Sequence, residues 1–371
     1  MTKKHIVKKL IIEKFLGRGI FILKKGVDIK NENSSTLLLI NDKWITLTKE
    51  DKEFIKPFIK TDNLNKWYVS EPSNFIIYTG SSELSENIKS YLLQFAGILL
   101  NRSTTISKDD IISLEEFENF TIDDIKNKYS SAGAVQKIMR RKKWWMPLYE
   151  RANVPFESSK IIVNTKNMDK FTYSSGAHYS SGGGAGGQNF IYFDIEIEKQ
   201  IIEFTTITDF TKFTNGILNS KLIQKYIFDG QYNQLSTAKI GDIPFISIKS
   251  INKNKLYNEL LNKIDFISEH NSVLDKIVVD FQSYLNTKYS LILNESIMDD
   301  TFDLMELFLK NKIILTIKKE AEWIKYFSEI KENVKKLKDE IYQSNKEIDF
   351  IVYELYGLSK KEINLVENAN A

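Results

Sequence analysis

The 371-residue sequence contains no cysteine, which removes disulfides, thiolate metal sites and cysteine nucleophiles at once. Small secreted domains usually need such bridges, so a reducing compartment fits this chain better. Histidine is nearly as scarce. His5, His178 and His270 lie far apart, a metal site would need carboxylates for nearly every ligand, and no metal is expected. The same scarcity leaves no defensible Ser/His/Asp arrangement, and no glycine elbow presents a nucleophile. Five prolines are present, Pro57, Pro72, Pro147, Pro155 and Pro244, and no two are adjacent. No apolar run is long enough to span a bilayer, and Met1-Thr2-Lys3-Lys4 opens an amphipathic stretch without a small-residue cleavage site. A cytoplasmic location without membrane contact is expected. Excess charge is small too: the net value of +3 argues for no partner by itself, so the distribution of charge must decide.

What is present is enough to bury a substantial core, in one large domain or two smaller ones. Short apolar runs open the chain: Ile6 to Phe15, Ile20 to Leu23, Leu37 to Ile40 and Trp44 to Leu47. They are bounded by Gly17, Gly19, Gly26 and an Asn/Ser cluster, which favours strands. Leu84, Ile88, Leu92, Phe95 and Leu99 recur at helical spacing and predict a helix between Glu83 and Leu100. Asp109 to Tyr129 is acidic and helical in character, and a basic run, Lys137 to Lys143, follows it. The glycine- and serine-rich stretch Tyr173 to Gly187 has little to bury; it is either a mobile loop or a place where backbone approaches a ligand. Beyond Pro244 the pattern turns to long helices. Trp323, Phe327, Ile330, Val334, Leu337, Ile341, Ser344, Ile348, Ile351 and Leu355 form a heptad seam on one long helix, read as half of an intramolecular hairpin or bundle rather than of a coiled-coil dimer. The expected class is α+β: a mixed, β-rich domain over residues 1–250, then a helical region over 251–371.

Several blocks, in one order, resemble a known family. They are Trp44 to Glu50, Phe54 to Tyr68, Phe75 to Tyr78, Trp144 to Arg151 leading into Phe156 to Val163, Gly216 to Leu222, and Ile240 to Pro244. Together they resemble the TaqI-like C-terminal specificity domain of adenine-specific restriction-modification enzymes. Glu347 to Ser359 is similar to the ending of single-chain restriction-methylation enzymes that carry this specificity half. Residues 107–127 and the glycine-rich 180–187 depart from the family's more compact pattern.

The resemblance implies a target-recognition domain that holds double-stranded DNA while a catalytic half methylates an extruded adenine with S-adenosylmethionine. That half requires a glycine-lined turn and a polar-Pro-Pro-aromatic element, and the separated prolines show that the second is missing from this chain. Phe15-Leu16-Gly17-Arg18-Gly19 imitates the first, but no complete strand-turn-helix unit follows it, the lone match is weak, and a turn between strands is the favoured reading. No cofactor is therefore expected here, and the methyltransferase catalytic domain or subunit becomes an expected partner. Phosphate contacts fall to Arg140, Arg141, Lys142 and Lys143, with Lys60 and Lys66 as further candidates; the alternative for the run is a solvated turn. Contacts to bases fall to the segment Lys166 to Asn189, with Lys166, Tyr173, His178, Tyr179, Gln188 and Asn189 as candidates, unless it is only a surface loop. Asn219 and Ser220 read as helix-capping residues rather than DNA contacts. Two other functions stay open: a helical protein-interaction scaffold without DNA specificity, and a methyltransferase with an unrecognised cofactor site.

Overall fold

The computed structural model describes residues 15–16, 20–79, 83–96, 114–119, 121, 123–124, 145, 156–164, 170–176, 178–179, 188–230, 237–251, 255–291 and 302–368. The fold is α+β, with small antiparallel sheets in the N-terminal half and long helices in the C-terminal half. The chain builds two compact units, each from several stretches. Unit 1 takes Met1–Leu64, Glu71–Ser159 and Ser174–Phe190; unit 2 takes Asn65–Ser70, Lys160–Tyr173 and Ile191–Ala371.

Unit 1 contains two antiparallel sheets. One has the order β1-β2-β7-β6, from β1 (Phe15–Leu16), β2 (Ile20–Lys24), β6 (Ile55–Phe58) and β7 (Asn74–Ile77). The other is a meander of β3 (Ile29–Glu32), β4 (Ser35–Ile40) and β5 (Lys43–Thr46). Its registers, Glu32 opposite Ser35 and Ile40 opposite Lys43, leave two-residue loops. Asn33 and Ser34 stand at φ 46° and 64°, Asn41 and Asp42 at 48° and 61°. Both loops thus have the positive-φ pair whose twist matches that of the flanking strands, and Asn and Asp tolerate it better than most residues. Ile22, Ile76, Phe58 and Tyr179 form one buried cluster under the first sheet.

Helix α1 (Lys49–Glu53) starts at Thr48, whose hydroxyl accepts the Asp51 N–H while the Asp51 carboxylate accepts from the Thr48 N–H. Helix α2 (Glu86–Leu93) buries Ile88, Tyr91 and Leu92. It is shorter than the apolar spacing from Leu84 to Leu99 predicts, ending at Gln94, with residues 97–100 outside the described set. Ser85 stands at its N-cap, but the hydroxyl donates to Asp51 Oδ1 at 2.6 Å instead of capping. The short helix α3 (Leu114–Asn119) falls in the acidic stretch.

In unit 2, β8 (Lys160–Asn164) is buried at every position and lies beside β9 (Phe171–Ser174); β10 (Gln188–Ile191) carries the chain from unit 1 into unit 2. The helices are α4 (Ile195–Ile202), α5 (Ile207–Leu218), α6 (Lys221–Asp229), α7 (Thr237–Gly241), α8 (Ile248–Ile251), α9 (Lys255–Tyr289), α10 (Leu304–Lys310), α11 (Ile317–Leu355) and α12 (Lys360–Glu367).

The heptad seam is used within the chain. The pairs Lys263–Glu347, His270–Glu340 and Phe281–Phe327 descend one helix as they climb the other, so α9 and α11 form an antiparallel hairpin. Trp323, Phe327, Val334, Ser344 and Ile348 of the seam are buried. α11 ends in a Schellman turn: Leu358 N–H donates to the Tyr353 carbonyl, Gly357 N–H to Glu354, and Gly357 takes φ +66°. Among the described residues, no helix is long and apolar enough to cross a membrane.

Candidate functional site

In unit 1 the two sheets and α1 enclose a cleft of about 190 Å³. Its floor is apolar, from Ile29, Leu47, Ile55 and Phe75. Lys25, Lys30 and Lys52 also line it, with Asn31 and Thr36 as neutral hydrogen-bonding groups, and no carboxylate does so among the described residues. Lys25 follows β2, Lys30 lies on β3 and Lys52 on α1, so three separate elements bring lysines to the lining, although the Lys30 side chain, over Trp44 and beside Glu32, stands on the face of β3 opposite Ile29 and Asn31. Lys25 pairs with Glu71 at 2.5 Å and Lys30 with Glu32 at 2.6 Å, both pairs partly exposed. Lys30 also stands 4.7 Å from the centroid of the Trp44 ring. Lys52 is exposed and has no ion pair among the described residues. Exposed pairs of this kind contribute about 0–1 kcal/mol, so an incoming anion can take either lysine from its carboxylate.

Lys60 belongs to the same end of unit 1. Phe58 of β6 and Lys24 of β2 both stand opposite Asn74, and both strands run antiparallel to β7. Lys25 and Lys60 therefore leave the sheet at the same end. The Lys60 side chain is exposed, and its backbone N–H donates to Asn63 Oδ1 at 2.9 Å.

The structure divides the other sequence-derived candidates between units. Tyr179, His178 and Gln188 are in unit 1, Tyr173 and Lys66 in unit 2. Tyr179 extends the edge of β6: its N–H donates to the Pro57 carbonyl and its carbonyl accepts from Ile59. Its ring is buried, stacked on Phe156 at 4.6 Å, and its hydroxyl donates to Glu157 Oε1 at 2.5 Å. Burial and that carboxylate push the phenol well above its usual range. Lys56 closes the cluster at 2.9 Å from Glu157. His178 is half-buried, its Nδ1 held 2.8 Å from the Ser174 hydroxyl. Gln188 is buried, and its Oε1 finds no partner. Tyr173 is half-buried with Lys212 Nζ 5.9 Å from its ring centroid. Lys66 covers the Trp67 ring at 5.3 Å. Arg140, Arg141, Lys142, Lys143 and Lys166 lie outside the described residues, as does the side chain of Asn189 on β10.

Sequence reasoning missed Lys25, Lys30 and Lys52. They are spread over twenty-eight positions (25 to 52 inclusive), and only the folding of the β3-β4-β5 meander beside the other sheet gathers them. A search for lysines next to hairpin turns would have found the first two.

Other family-like blocks have structural work. Asn219 is buried at the end of α5; its side chain accepts the Phe171 N–H and donates to the carbonyls of Phe171 and Lys66. Ser220 caps α6. Trp67 donates to Asn345 Oδ1 at 3.0 Å and Tyr68 to Asp275 Oδ2 at 2.7 Å, which pins residues 65–70 against the long hairpin. Gly216 lets α5 approach α9, because a Cβ there would lie 2.6 Å from Ile264 Cδ1. Phe15–Leu16 and Ile20–Lys24 are adjacent antiparallel strands, where a methyl-donor turn needs a strand followed by a helix. Among the described residues, no group of three His, Asp or Glu is placed to hold a metal ion.

No protein family matches the chain, and no curated protein does either. Among solved structures, that of the Type IIL restriction-modification enzyme MmeI in complex with DNA is similar over 84% of this chain, with a TM-score of 0.35 and 10% sequence identity. This chain spans 29% of the length of that enzyme.

Proposed function

We propose that this chain reads DNA sequence as the specificity part of an adenine-specific methyltransferase or restriction-modification enzyme. The observation that carries the reading is the cleft of unit 1, whose lining brings together Lys25, Lys30 and Lys52 and includes no carboxylate among the described residues. Three cations on separate rigid elements suit the spaced phosphates of a duplex, and such contacts fix register without reading sequence. Lys60, at the same end of the first sheet as Lys25, offers a further cation. Asn31 and Thr36, which line the cleft, offer donors and acceptors to base edges or sugars, and His178 offers another outside it. Tyr179 acts from the interior, its backbone paired with β6 beside His178. The ordered sequence blocks supply the assignment to this family.

Methyl transfer belongs in this reading to a catalytic domain or subunit that holds S-adenosylmethionine, and extrusion of the adenine happens there. The scaffold alternative is less favoured, because α9 already covers the heptad seam of α11.

The test is a selection from randomised duplexes with the purified chain, with and without its methyltransferase partner, followed by affinity measurements across salt concentrations. One enriched sequence, bound at least a thousandfold more tightly than bulk DNA, supports the reading. Equal affinity for every duplex ends it.

A further inference from the structure

Unit 2 carries a second pocket, of about 380 Å³, where the ends of α9 and α11 pack together. That volume falls in the range of pockets that take small molecules, about 300–1,000 Å³. Trp323 forms the floor and is only 6% exposed; Tyr284 and Tyr326, 46% and 48% exposed, stand as walls at 5.5 and 5.9 Å from it between ring centroids. The floor is fixed, because the Trp323 indole N–H donates to the Tyr289 hydroxyl at 2.9 Å and its ring rests on Phe281 and Phe308. Lys288 reaches over the rings, 5.1 Å from the Tyr284 centroid and 5.7 Å from that of Trp323, and its ammonium donates to the Tyr284 hydroxyl at 2.9 Å. Lys319 and Glu322 complete the rim.

Two half-exposed tyrosines on a rigid indole give flat faces for a planar ring. Lys288 decides the charge of what can enter. It already fills the cation position over the aromatic faces, so a quaternary ammonium or a lysine from a partner would meet a like charge. Against one carboxylate, Lys288 and Lys319 leave the rim positive, and Lys319 has no ion pair among the described residues. A ligand with both a flat π-face and an anionic group matches each feature.

We infer that this pocket binds a nucleotide, its base stacked against Tyr326 or Tyr284 and its phosphate on Lys288 and Lys319, either free or as one unit of a single strand. The inference does not rest on the duplex-reading proposal, since the cleft of unit 1 contributes no residue to it.

The test uses the full chain with three probes: a fluorescein-labelled oligodeoxythymidine, the same oligonucleotide annealed to its complement, and a mononucleotide titrated by calorimetry. Stacking on an aromatic side chain is worth about 1–3 kcal/mol per base, so Tyr326→Ala is expected to weaken the oligonucleotide about tenfold or more. Tyr326→Phe keeps the affinity, and Lys319→Gln weakens binding while flattening its salt dependence. Melting curves confirm that each variant is folded; Tyr326 and Lys319 are exposed enough for the fold to tolerate the changes. Mononucleotide binding that falls in step with the oligonucleotide identifies a free-nucleotide site, and loss of the oligonucleotide alone identifies a strand-binding site. Unchanged affinity of both single-stranded probes in Tyr326→Ala and Lys319→Gln overturns the inference, as does tighter binding of a neutral oligosaccharide than of any nucleotide. Variants of Lys25, Lys30 and Lys52 should leave these affinities unaltered, which separates this site from the duplex reading.

Discussion

Asn219 brackets the peptide of Phe171, accepting its N–H at 3.1 Å and donating to its carbonyl at 2.6 Å. The same amide nitrogen reaches the Lys66 carbonyl at 2.7 Å, so one side chain at the end of α5 satisfies backbone groups from β9 and from residues 65–70. Asn219→Ala leaves these groups buried without partners and should cost about 2–4 kcal/mol, read as a lower urea midpoint. Asn219→Asp should be as damaging, because a carboxylate cannot donate to either carbonyl. A loss under about 0.5 kcal/mol in both variants would show that water replaces the amide.

Asp51 should make unit 1 sensitive to acid. Burial opposes its ionisation, but hydrogen bonds from Ser85, Asn87 and Thr48 outweigh that and hold the carboxyl below its ordinary value of 3.8. A depressed folded value means stability present above 3.8 and lost as pH falls through the folded value. Asp51→Asn turns one acceptor into a donor facing other donors and should cost about 2 kcal/mol at neutral pH. The gap between wild type and variant should narrow below pH 3.8. A gap that does not depend on pH would contradict the assignment.

Asp349 should act with the opposite sign. It accepts the Lys221 N–H at 2.7 Å at the start of α6, yet burial outweighs that bond and the nearby Lys66 and Lys221 charges and raises its carboxyl above 3.8. Its stabilising contribution is therefore fully present below 3.8 and is lost as pH rises through the folded value. Asp349→Asn keeps an acceptor for Lys221, so the variant should gain on wild type as pH climbs. Chemical denaturation between pH 3 and 7 gives the comparison, and a fall of the variant relative to wild type over that window would refute it.

Two backbone changes probe the turns. Ser34 stands at φ 64° without the local tolerance of Asn or Gly, and Ser34→Gly should stabilise unit 1 by about 0.5 kcal/mol. Gly357 stands at φ +66°, and a Cβ added there would meet nothing within 4 Å, so Gly357→Ala should cost about 1 kcal/mol through backbone strain alone. Thermal melts of both variants should move in opposite directions.

The lysine cleft makes a quantitative prediction for DNA. Each of Lys25→Gln, Lys30→Gln and Lys52→Gln should reduce the slope of log affinity against log salt by about 0.9 if its ammonium neutralises one phosphate. Sequence preference should persist in all three. A slope unchanged in the triple variant would place the phosphate contacts elsewhere.

The long elements were legible because periodicity reports burial directly: the seam from Trp323 to Ile348 faces α9, and the Asn/Ser cluster marks the hairpin before β4, whereas the Asn41-Asp42 turn after it went unread. Near its C-terminal end α11 buries Asp349, Val352 and Tyr353 as well, outside the seam, because α6 and α12 also pack there. No spacing rule shows that, since it depends on elements distant in sequence. Ser85 illustrates the same limit. It has the residue type of a cap and the position of one, yet the buried Asp51 carboxylate claims its hydroxyl. The cleft lysines are alike in this respect, being ordinary surface residues until the two sheets bring them to one opening.

The interleaved chain course has a consequence for biosynthesis. All the stretches of unit 1 have been synthesised once Phe190 is made, so that unit can settle before the rest of the chain follows. Trp67 and β8 emerge early too, but the Asn345 that receives the Trp67 indole hydrogen comes from near the end of α11. Their apolar surfaces must wait, exposed, until the long hairpin is translated, and that interval is when a chaperone would be most needed.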